Sequence, residues 1–296
     1  MKDEFSRFHP VVNFAYFALI IGCSMVFMHP VCLTISILFS FVYSIYLNGK
    51  RAVKFNLLYM IPMLIVTALI NPAFNHEGIT ILDYLPSGNP LTLESIAYGV
   101  AAAAMFISVI CWFSCYNAVM TSDKFIYLFG RIIPALSLVL SMVLRFVPKF
   151  KAQLAVVTTA QRCIGRDVSN GSLLFRIRNG TRILSIMTTW MLENAVETAA
   201  SMRSRGYGLP GRTAFSLFRF DRRDGYAITA IAVVGGYTLI GSYSHAMYYR
   251  YFPSMNGVEL TAYSASVFLS YALLCSIPLV INVREGVIWK HSQSNV

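Results

Sequence analysis

The chain alternates between long uncharged apolar stretches and short polar connections, and one long basic segment interrupts this alternation. A helix needs about 20 apolar residues to cross the hydrocarbon core of a bilayer. The pattern therefore predicts an all-α, polytopic membrane protein with about six transmembrane helices. The six stretches, which contain no Asp, Glu, Lys, Arg or His, are Val11–Met28, Val31–Leu47, Phe55–Ile70, Ser95–Val119, Tyr226–Ser244 and Thr261–Asn282.

The basic segment divides the chain into three predicted regions. Residues 1–119 hold transmembrane helices 1–4, residues 120–225 form a region outside the membrane, and residues 226–296 hold helices 5 and 6. The bulk composition agrees with a membrane protein, since 56% of the residues are hydrophobic and only 12% are charged. Soluble domains have about a quarter charged residues.

The positions of the basic residues predict the orientation. If the chain starts in the cytosol and crosses six times, 23 Lys and Arg residues lie inside and only Arg250 lies outside. This is the positive-inside pattern. It predicts a multi-pass protein of the cell inner (plasma) membrane with both termini cytosolic. Because orientation accounts for the net charge of +11, we expect no nucleic-acid partner.

Cysteine and histidine give no sign of a cofactor or metal site. Five of the six cysteines lie in the apolar stretches, and the chain contains no CxxC pair and no HxxxH spacing. We interpret the cysteines as reduced, buried, small hydrophobic residues.

The first part of the basic segment, Phe125–Phe146, is apolar but not a convincing seventh span. Arg131 and Arg145 bracket it and Pro134 interrupts it. If it crossed, the fourteen basic residues from Arg145 to Arg223 would change sides, against the orientation rule. We therefore expect a helix at the inner membrane interface or beneath the bundle, with a break at Pro148.

Two amphipathic helices are predicted next. The first runs from Lys149 to Arg162 and is ended by Gly165, and the second runs from about Arg182 to Arg205. Gly206, Gly208, Pro210 and Gly211 end the second helix, since glycine is preferred just past a helix C-terminus.

Each of these helices thus ends in arginines beside a glycine, and two interpretations of the arginines are open. They cap the helix carbonyls and touch lipid headgroups, or they form a docking surface for acidic partners.

These residues carry a resemblance to a known family. The run from about Thr121 to Thr213 resembles the transmembrane (T) component of energy-coupling-factor transporters, which are vitamin and metal-ion importers of the ABC class. The family pattern is an Arg-Phe-x-Pro element followed by two coupling helices, each ending in Ala-Arg-Gly. The matching residues are Phe8-His9-Pro10, Arg145-Phe146-Val147-Pro148, Ala160-Gln161-Arg162 and Met202-Arg203-Ser204-Arg205-Gly206-Tyr207-Gly208.

The resemblance implies a scaffold that joins two cytosolic ABC ATPase subunits to a separate membrane substrate-binding (S) subunit. It also implies that the two helices dock on the ATPase pair. The first motif departs from the pattern, because Ile164 stands where the family has arginine. Either Arg162 or Arg166 takes its place, or this contact has become apolar. The residues expected to dock are Arg162, Ile164, Gly165 and Arg166 at the first end, and Arg203, Ser204, Arg205 and Gly206 at the second.

The apolar stretches favour a transporter subunit without an ATPase site of its own. Ion-coupled transporters usually keep ionisable groups within the membrane, and the six stretches contain none. The chain also lacks a Walker A motif, so we expect energy to arrive through the cytosolic helices. Two alternatives remain open: an intramembrane lipid- or prenyl-modifying enzyme that uses Asp221 and Asp224, and a non-transporting membrane anchor for a cytosolic complex.

Overall fold

The computed structural model describes residues 3–84, 90–130, 134–209, 218–258 and 261–293, and every structural statement below concerns those residues. Arg131, Pro210 and Gly211, which entered the sequence predictions, lie outside them. A 3-10 turn, Phe5–Arg7, opens the chain. The helices that follow are α1 Pro10–Val26, α2 Pro30–Asn48, α3 Lys50–Phe74, α4 Leu93–Val119, α5 Ser122–Gly130, α6 Pro134–Cys163, α7 Leu173–Ser204, α8 Arg222–Tyr243 and α9 Ala262–Gln293.

Strand structure in the described residues is confined to two small antiparallel pairs in the connections. Strand β1 (Ile81–Tyr84) pairs with β2 (Pro90–Thr92) between α3 and α4. Strand β3 (Tyr249–Arg250) pairs with β4 (Asn256–Gly257) between α8 and α9.

Each of the six predicted apolar stretches lies in a helix of its own. Helices α2, α4, α8 and the Ala262–Ile288 part of α9 are long and apolar enough to cross a membrane. Helix α1 and the Met60–Phe74 part of α3 are shorter apolar helices. The prediction of an all-α polytopic membrane protein is confirmed.

The starts of α1 and α2 follow from the same two-residue pattern, a histidine followed by a proline. Pro10 and Pro30 occupy the first helical position, where the missing N–H is not needed. The preceding histidine caps each helix. His9 Nδ1 accepts a bond from the N–H of Val11 at 3.3 Å, and His29 Nδ1 accepts one from Val31 at 3.2 Å.

The described chain forms two compact units. The first, which we call the bundle, comprises Met1–Phe125 and Phe218–Val296, and the second, the inserted unit, comprises Ile126–Leu217. The bundle contains the six apolar helices. The inserted unit contains α6 and α7, the two helices with arginine-rich ends.

The bundle core is aromatic and contains a short chain of hydroxyl groups. Trp112 is fully buried, and its Nε1 donates a hydrogen bond to Ser36 Oγ at 3.0 Å. Ser36 Oγ lies 3.0 Å from Ser24 Oγ, which lies 3.3 Å from the Tyr271 hydroxyl. These bonds join α1, α2, α4 and α9. Because hydrocarbon offers no water as a partner, these four polar side chains satisfy one another.

Close helix contacts in the bundle depend on glycine. A Cβ atom on Gly99 of α4 would lie 2.7 Å from the carbonyl oxygen of Ala68 in α3. A Cβ atom on Gly241 of α8 would lie 2.5 Å from a methyl group of Val267 in α9. The first contact is with backbone, which cannot turn aside as a side chain can.

The predicted break at Pro148 is wrong. The helix runs unbroken from Pro134 to Cys163, with Pro148 in its interior. Proline removes one backbone hydrogen bond, at a cost of about 3 kcal/mol, but it disturbs only one turn. Good helix-forming residues on both sides maintain the other turns.

The predicted start of the second amphipathic helix, α7, is also wrong. It begins at Leu173, not near Arg182, and Ser172 Oγ caps it by accepting a bond from the N–H of Phe175 at 3.4 Å. Asn179 and Gly180 have low helix propensity and obscured this first part. The buried Asn179 side chain donates to the carbonyl of Asp167 at 3.2 Å, and this bond holds the helix start in place.

We predict that Gly99→Ala destabilises the bundle. The added methyl group cannot fit beside the Ala68 carbonyl without moving α3 away from α4, and such overpacking costs about 1–3 kcal/mol. The melting temperature of the purified protein in detergent should fall. Gly22→Ala in α1 is the matched control, because nothing lies within 4 Å of its added Cβ, and it should leave melting unchanged or slightly raised. Equal melting temperatures for the two variants would contradict the close contact.

Candidate functional site

Helix α6 ends in a cap built entirely from backbone atoms. Gly165 has a φ of +77°, a left-handed conformation that glycine adopts without steric cost. Its N–H donates to the carbonyl of Arg162 at 3.0 Å, and the N–H of Arg166 donates to the carbonyl of Gln161 at 2.9 Å. This pair of bonds is the Schellman motif.

Helix α7 ends in the same cap. Gly206 has a φ of +75°. Its N–H donates to the carbonyl of Arg203 at 3.0 Å, and the N–H of Tyr207 donates to the carbonyl of Met202 at 3.0 Å. The two ends therefore have the same backbone structure, which allows their side chains to be compared position by position.

This comparison pairs Arg162 with Arg203, Ile164 with Arg205, and Arg166 with Tyr207. The backbone thus places Ile164 at the position that Arg205 holds at the other end, as the aligned motifs predicted. Both side chains are exposed in the chain, and Ile164 has 59% of its surface accessible. One end therefore presents an aliphatic group where the other presents a guanidinium.

The backbone caps weaken the interpretation that the arginine side chains cap the helix carbonyls. The last carbonyls of a helix need donors, which arginine side chains can supply. Here backbone N–H groups bond two of these carbonyls at each end. The guanidinium groups of Arg166, Arg203 and Arg205 make no hydrogen bond or ion pair within the described residues, and all three are exposed. They are available to a partner.

Arg162 differs, because it has an ion-pair partner within the chain, although 69% of its side chain stays exposed. Its Nε lies 3.3 Å from Asp167 Oδ2. Sequence reasoning left Arg162 and Arg166 as equal candidates for the missing arginine at the first end. The structure distinguishes them, because among the described residues Arg162 makes an exposed ion pair and the Arg166 guanidinium makes none.

Asp167 organises the connection between α6 and α7. Its carboxylate accepts bonds from the N–H of Ser169 at 2.9 Å and from the Ser169 hydroxyl at 2.7 Å. These two bonds, together with the Arg162 charge, hold the pKa of Asp167 below its usual value. Arg176 of α7 donates to the carbonyl of Val168 at 2.8 Å. The first capped end is thus fastened to the start of the next helix.

Away from their capped ends, α6 and α7 contact each other in a polar and aromatic cluster. Lys149 Nζ donates to Asn194 Oδ1 at 2.6 Å, and the ring centroids of Phe146 and Trp190 are 5.8 Å apart. The ammonium of Lys149 also lies 5.5 Å from the Trp190 ring, within range of a cation–π interaction. Sequence reasoning missed this cluster, because nothing in the local pattern indicates that these side chains meet.

The capped ends lie well beyond this cluster. At 1.5 Å per residue, the end of α6 is about 21 Å past Lys149, and the end of α7 is about 15 Å past Asn194. In the inserted unit, α6 and α7 therefore each extend past the cluster to an exposed, capped end.

Asp224, one of the two acids considered for an enzymatic role, has a structural role. Asp224 is buried at 5% exposure, and its two carboxylate oxygens accept bonds from the N–H groups of His9 at 2.8 Å and Asp221 at 3.0 Å. A carboxylate committed to two backbone donors is a structural connector.

Comparison with known proteins adds independent information. The chain is similar to the energy-coupling factor transporter transmembrane protein EcfT of Listeria innocua, with 25% identity over 228 residues that cover 72% of this chain and 85% of that protein. It is 32% identical over 106 residues to the EcfT of Lactobacillus helveticus, and 33% identical over 106 residues to that of Lacticaseibacillus paracasei.

The matches to these two lactobacillar proteins are partial. They cover 36% of this chain in each case, and 38% and 40% of the relatives' own length. No protein-family model matches the chain. The comparisons confirm the resemblance seen in the motifs, and the chain is a relative of the transmembrane component of energy-coupling-factor transporters.

We predict that Gly165→Ala frays the end of α6. A residue with a Cβ pays about 1–2 kcal/mol in the left-handed conformation, so amide exchange at residues 160–166 should accelerate about tenfold or more. Gly180→Ala, inside α7 with no atom within 4 Å of its added Cβ, is the control and should slow exchange slightly. Unchanged exchange in Gly165→Ala would mean that the left-handed cap is not needed.

Proposed function

We propose that this relative of EcfT is the energy-coupling scaffold of an importer for vitamins or metal ions. In this proposal the chain passes motion from two cytosolic ATPase subunits to a separate substrate-binding membrane subunit. The observation that carries the proposal is the pair of identical helix caps, each leaving an exposed arginine without a partner in the described chain.

Arginine suits this docking role for a physical reason. Its planar guanidinium forms two parallel hydrogen bonds to a carboxylate, and it is more weakly hydrated than lysine and so loses less on burial. We assign Arg205 and Arg203 to acidic groups on one ATPase subunit. Gly206 and Ser204 support these arginines through the cap and the last helical turn.

The first end docks differently in this proposal. Arg166 provides the charged contact, since its guanidinium has no partner in the described chain, whereas Arg162 already makes an exposed ion pair with Asp167. Ile164 provides an apolar contact, with 59% of its surface exposed in the chain. Gly165 keeps both in position. The two ends therefore fit two different surfaces, one partly apolar and one acidic.

The charge pattern supports the placement of the complex. With 23 of the 24 basic residues on one side of a six-span arrangement, the positive-inside rule favours a cytosolic location for the inserted unit. We propose a plasma-membrane protein with both chain ends and residues 120–225 on the cytosolic side, between the spans of residues 1–119 and 226–296.

The source of energy also supports a scaffold. The six apolar stretches contain no ionisable residue for an ion relay, and the sequence has no Walker A motif for binding ATP. A relative of a transporter component with these properties depends on separate ATPase subunits.

We predict that Arg205→Glu abolishes co-purification of the chain with its cytosolic ATPase pair. Charge reversal removes a buried ion pair and places two acids face to face, at a cost of about 2–5 kcal/mol. The measurement is pull-down from solubilised membranes, with membrane insertion checked by fractionation.

Arg182→Glu is the matched control for Arg205→Glu. It makes the same charge reversal at an exposed position of α7, about 35 Å along the helix from Arg205. This variant should retain the ATPase pair. Retention by both variants would refute the coupling role, and loss by both would mean that net charge, not the capped end, governs association.

We predict that the two arginines of the first end differ in their effect on association. Arg166→Ala should weaken ATPase binding about tenfold or more, because it removes a contact with the partner. Arg162→Ala should change binding about threefold or less, since its guanidinium is directed to Asp167. Titration of the purified subunits gives both affinities, and a larger effect from Arg162→Ala would reverse the assignment.

A further inference from the structure

The chain enters and leaves the inserted unit at two junctions, and both junctions contact the same short segment of the bundle. The chain passes into the inserted unit after Phe125 and returns at Phe218. We call residues 119–125 the first junction, residues 218–224 the second junction, and residues 3–9 the brace segment. All three belong to the bundle.

The first junction is held by a buried lysine. Lys124 has only 6% of its surface exposed, although it lies next to the boundary of the bundle. Its ammonium donates to the carbonyl of Ser6 in the brace segment and to the carbonyl of Val119 at 3.0 Å. A buried ammonium is costly unless it is hydrogen-bonded, so these carbonyls determine where the junction lies.

The second junction is held by the other end of the brace segment. The carboxylate of Asp224 accepts a bond from the N–H of His9 at 2.8 Å. The His9 ring meets the Phe220 ring edge-on at 5.3 Å, and the Arg223 guanidinium lies 5.4 Å from the centre of the Phe8 ring. Three residues of the second junction thus contact two residues of the brace segment.

The brace segment is itself anchored to the membrane helices. Asn282 of α9 donates to Asp3 Oδ1 at 2.6 Å and accepts from the N–H of Glu4 at 2.7 Å. The hydroxyl of Tyr43 in α2 donates to Asp3 Oδ2 at 3.4 Å. Phe5 is completely buried among aromatic rings of α1.

We infer that residues 3–9 are a brace that couples the two junctions to each other and to α2 and α9, with Lys124 and Asp224 as its positioning residues. The segment reaches both junctions within seven residues, although Lys124 and Asp224 are 100 positions apart in the chain. Displacement of one junction therefore displaces the other. Under the proposed function, this makes the bundle respond to the inserted unit as one body.

Hydrogen exchange of the full chain in lipid nanodiscs tests the brace directly. Lys124→Met removes the ammonium at similar volume and should raise exchange at the distant residues 218–226 about tenfold, in addition to residues 119–125. Asp224→Asn leaves one oxygen to accept one of two bonds. It should raise exchange at residues 119–125 as well as at its own junction.

Arg7→Ala is the control within the brace segment. Arg7 makes an exposed ion pair with Glu4 at 2.9 Å, and such pairs contribute little, so exchange at both junctions should stay within about twofold. If Lys124→Met and Asp224→Asn each loosen only their own junction, the brace is refuted. If Lys124→Met does not accumulate in the membrane, Asp224→Asn decides the question alone.

A second measurement separates coupling from stability. In the complex with the ATPase pair, both brace variants should still co-purify, while the ATP-induced change in exchange at α9 falls to about half or less of the wild-type change. An undiminished ATP response with a lowered melting temperature would show that residues 3–9 contribute to stability and not to coupling, and would refute the brace. Because the nanodisc experiment uses the chain without ATPases, its outcome is independent of whether the Arg205→Glu test succeeds.

Discussion

The hydrocarbon core of a membrane tolerates neither an unpaired backbone polar group nor an unpartnered charge, and the arrangement of this protein follows from that constraint. The six apolar stretches form helices, which satisfy their own backbone, and their buried hydroxyl and indole groups bond to one another. The basic residues are gathered outside those stretches. Under the proposed function, the inserted unit is where side chains meet a charged partner.

The helix caps of the inserted unit show how backbone chemistry leaves side chains available. Glycine in the left-handed conformation lets N–H groups satisfy the last carbonyls of α6 and α7. The arginine side chains around each cap are then not needed as hydrogen-bond donors to these carbonyls. The two ends differ chemically, because Arg162 of the first end pairs with Asp167, whereas the equivalent Arg203 makes no ion pair within the described residues. Under the proposed function, a common backbone with different side chains suits two related but distinct docking surfaces.

The bundle end near the junctions relies on buried polar connectors of another kind. Lys124, Asp224 and Asn282 are each at most 6% exposed, and each bonds to the backbone of residues 3–9. Burial removes the competition from water, so these bonds are directional and their loss is expensive. Under the proposed function such stiff connections are useful, because the chain would transmit motion that separate ATPase subunits generate.

The amino-acid sequence by itself determined the features that depend on neighbours within a few residues: six apolar helices, the proline-led starts of α1 and α2, the glycine-ended α6 and α7, and the resemblance carried by their arginines. Only the tertiary structure decided that α6 continues through Pro148 and that α7 begins at Leu173. It also decided that Asp167 pairs with Arg162 and not with Arg166, and that Lys124 and Asp224 both bond to residues 3–9. Helix periodicity and caps are local properties of a chain. The partner of a buried charge is chosen by packing between residues far apart in sequence, which no local pattern records.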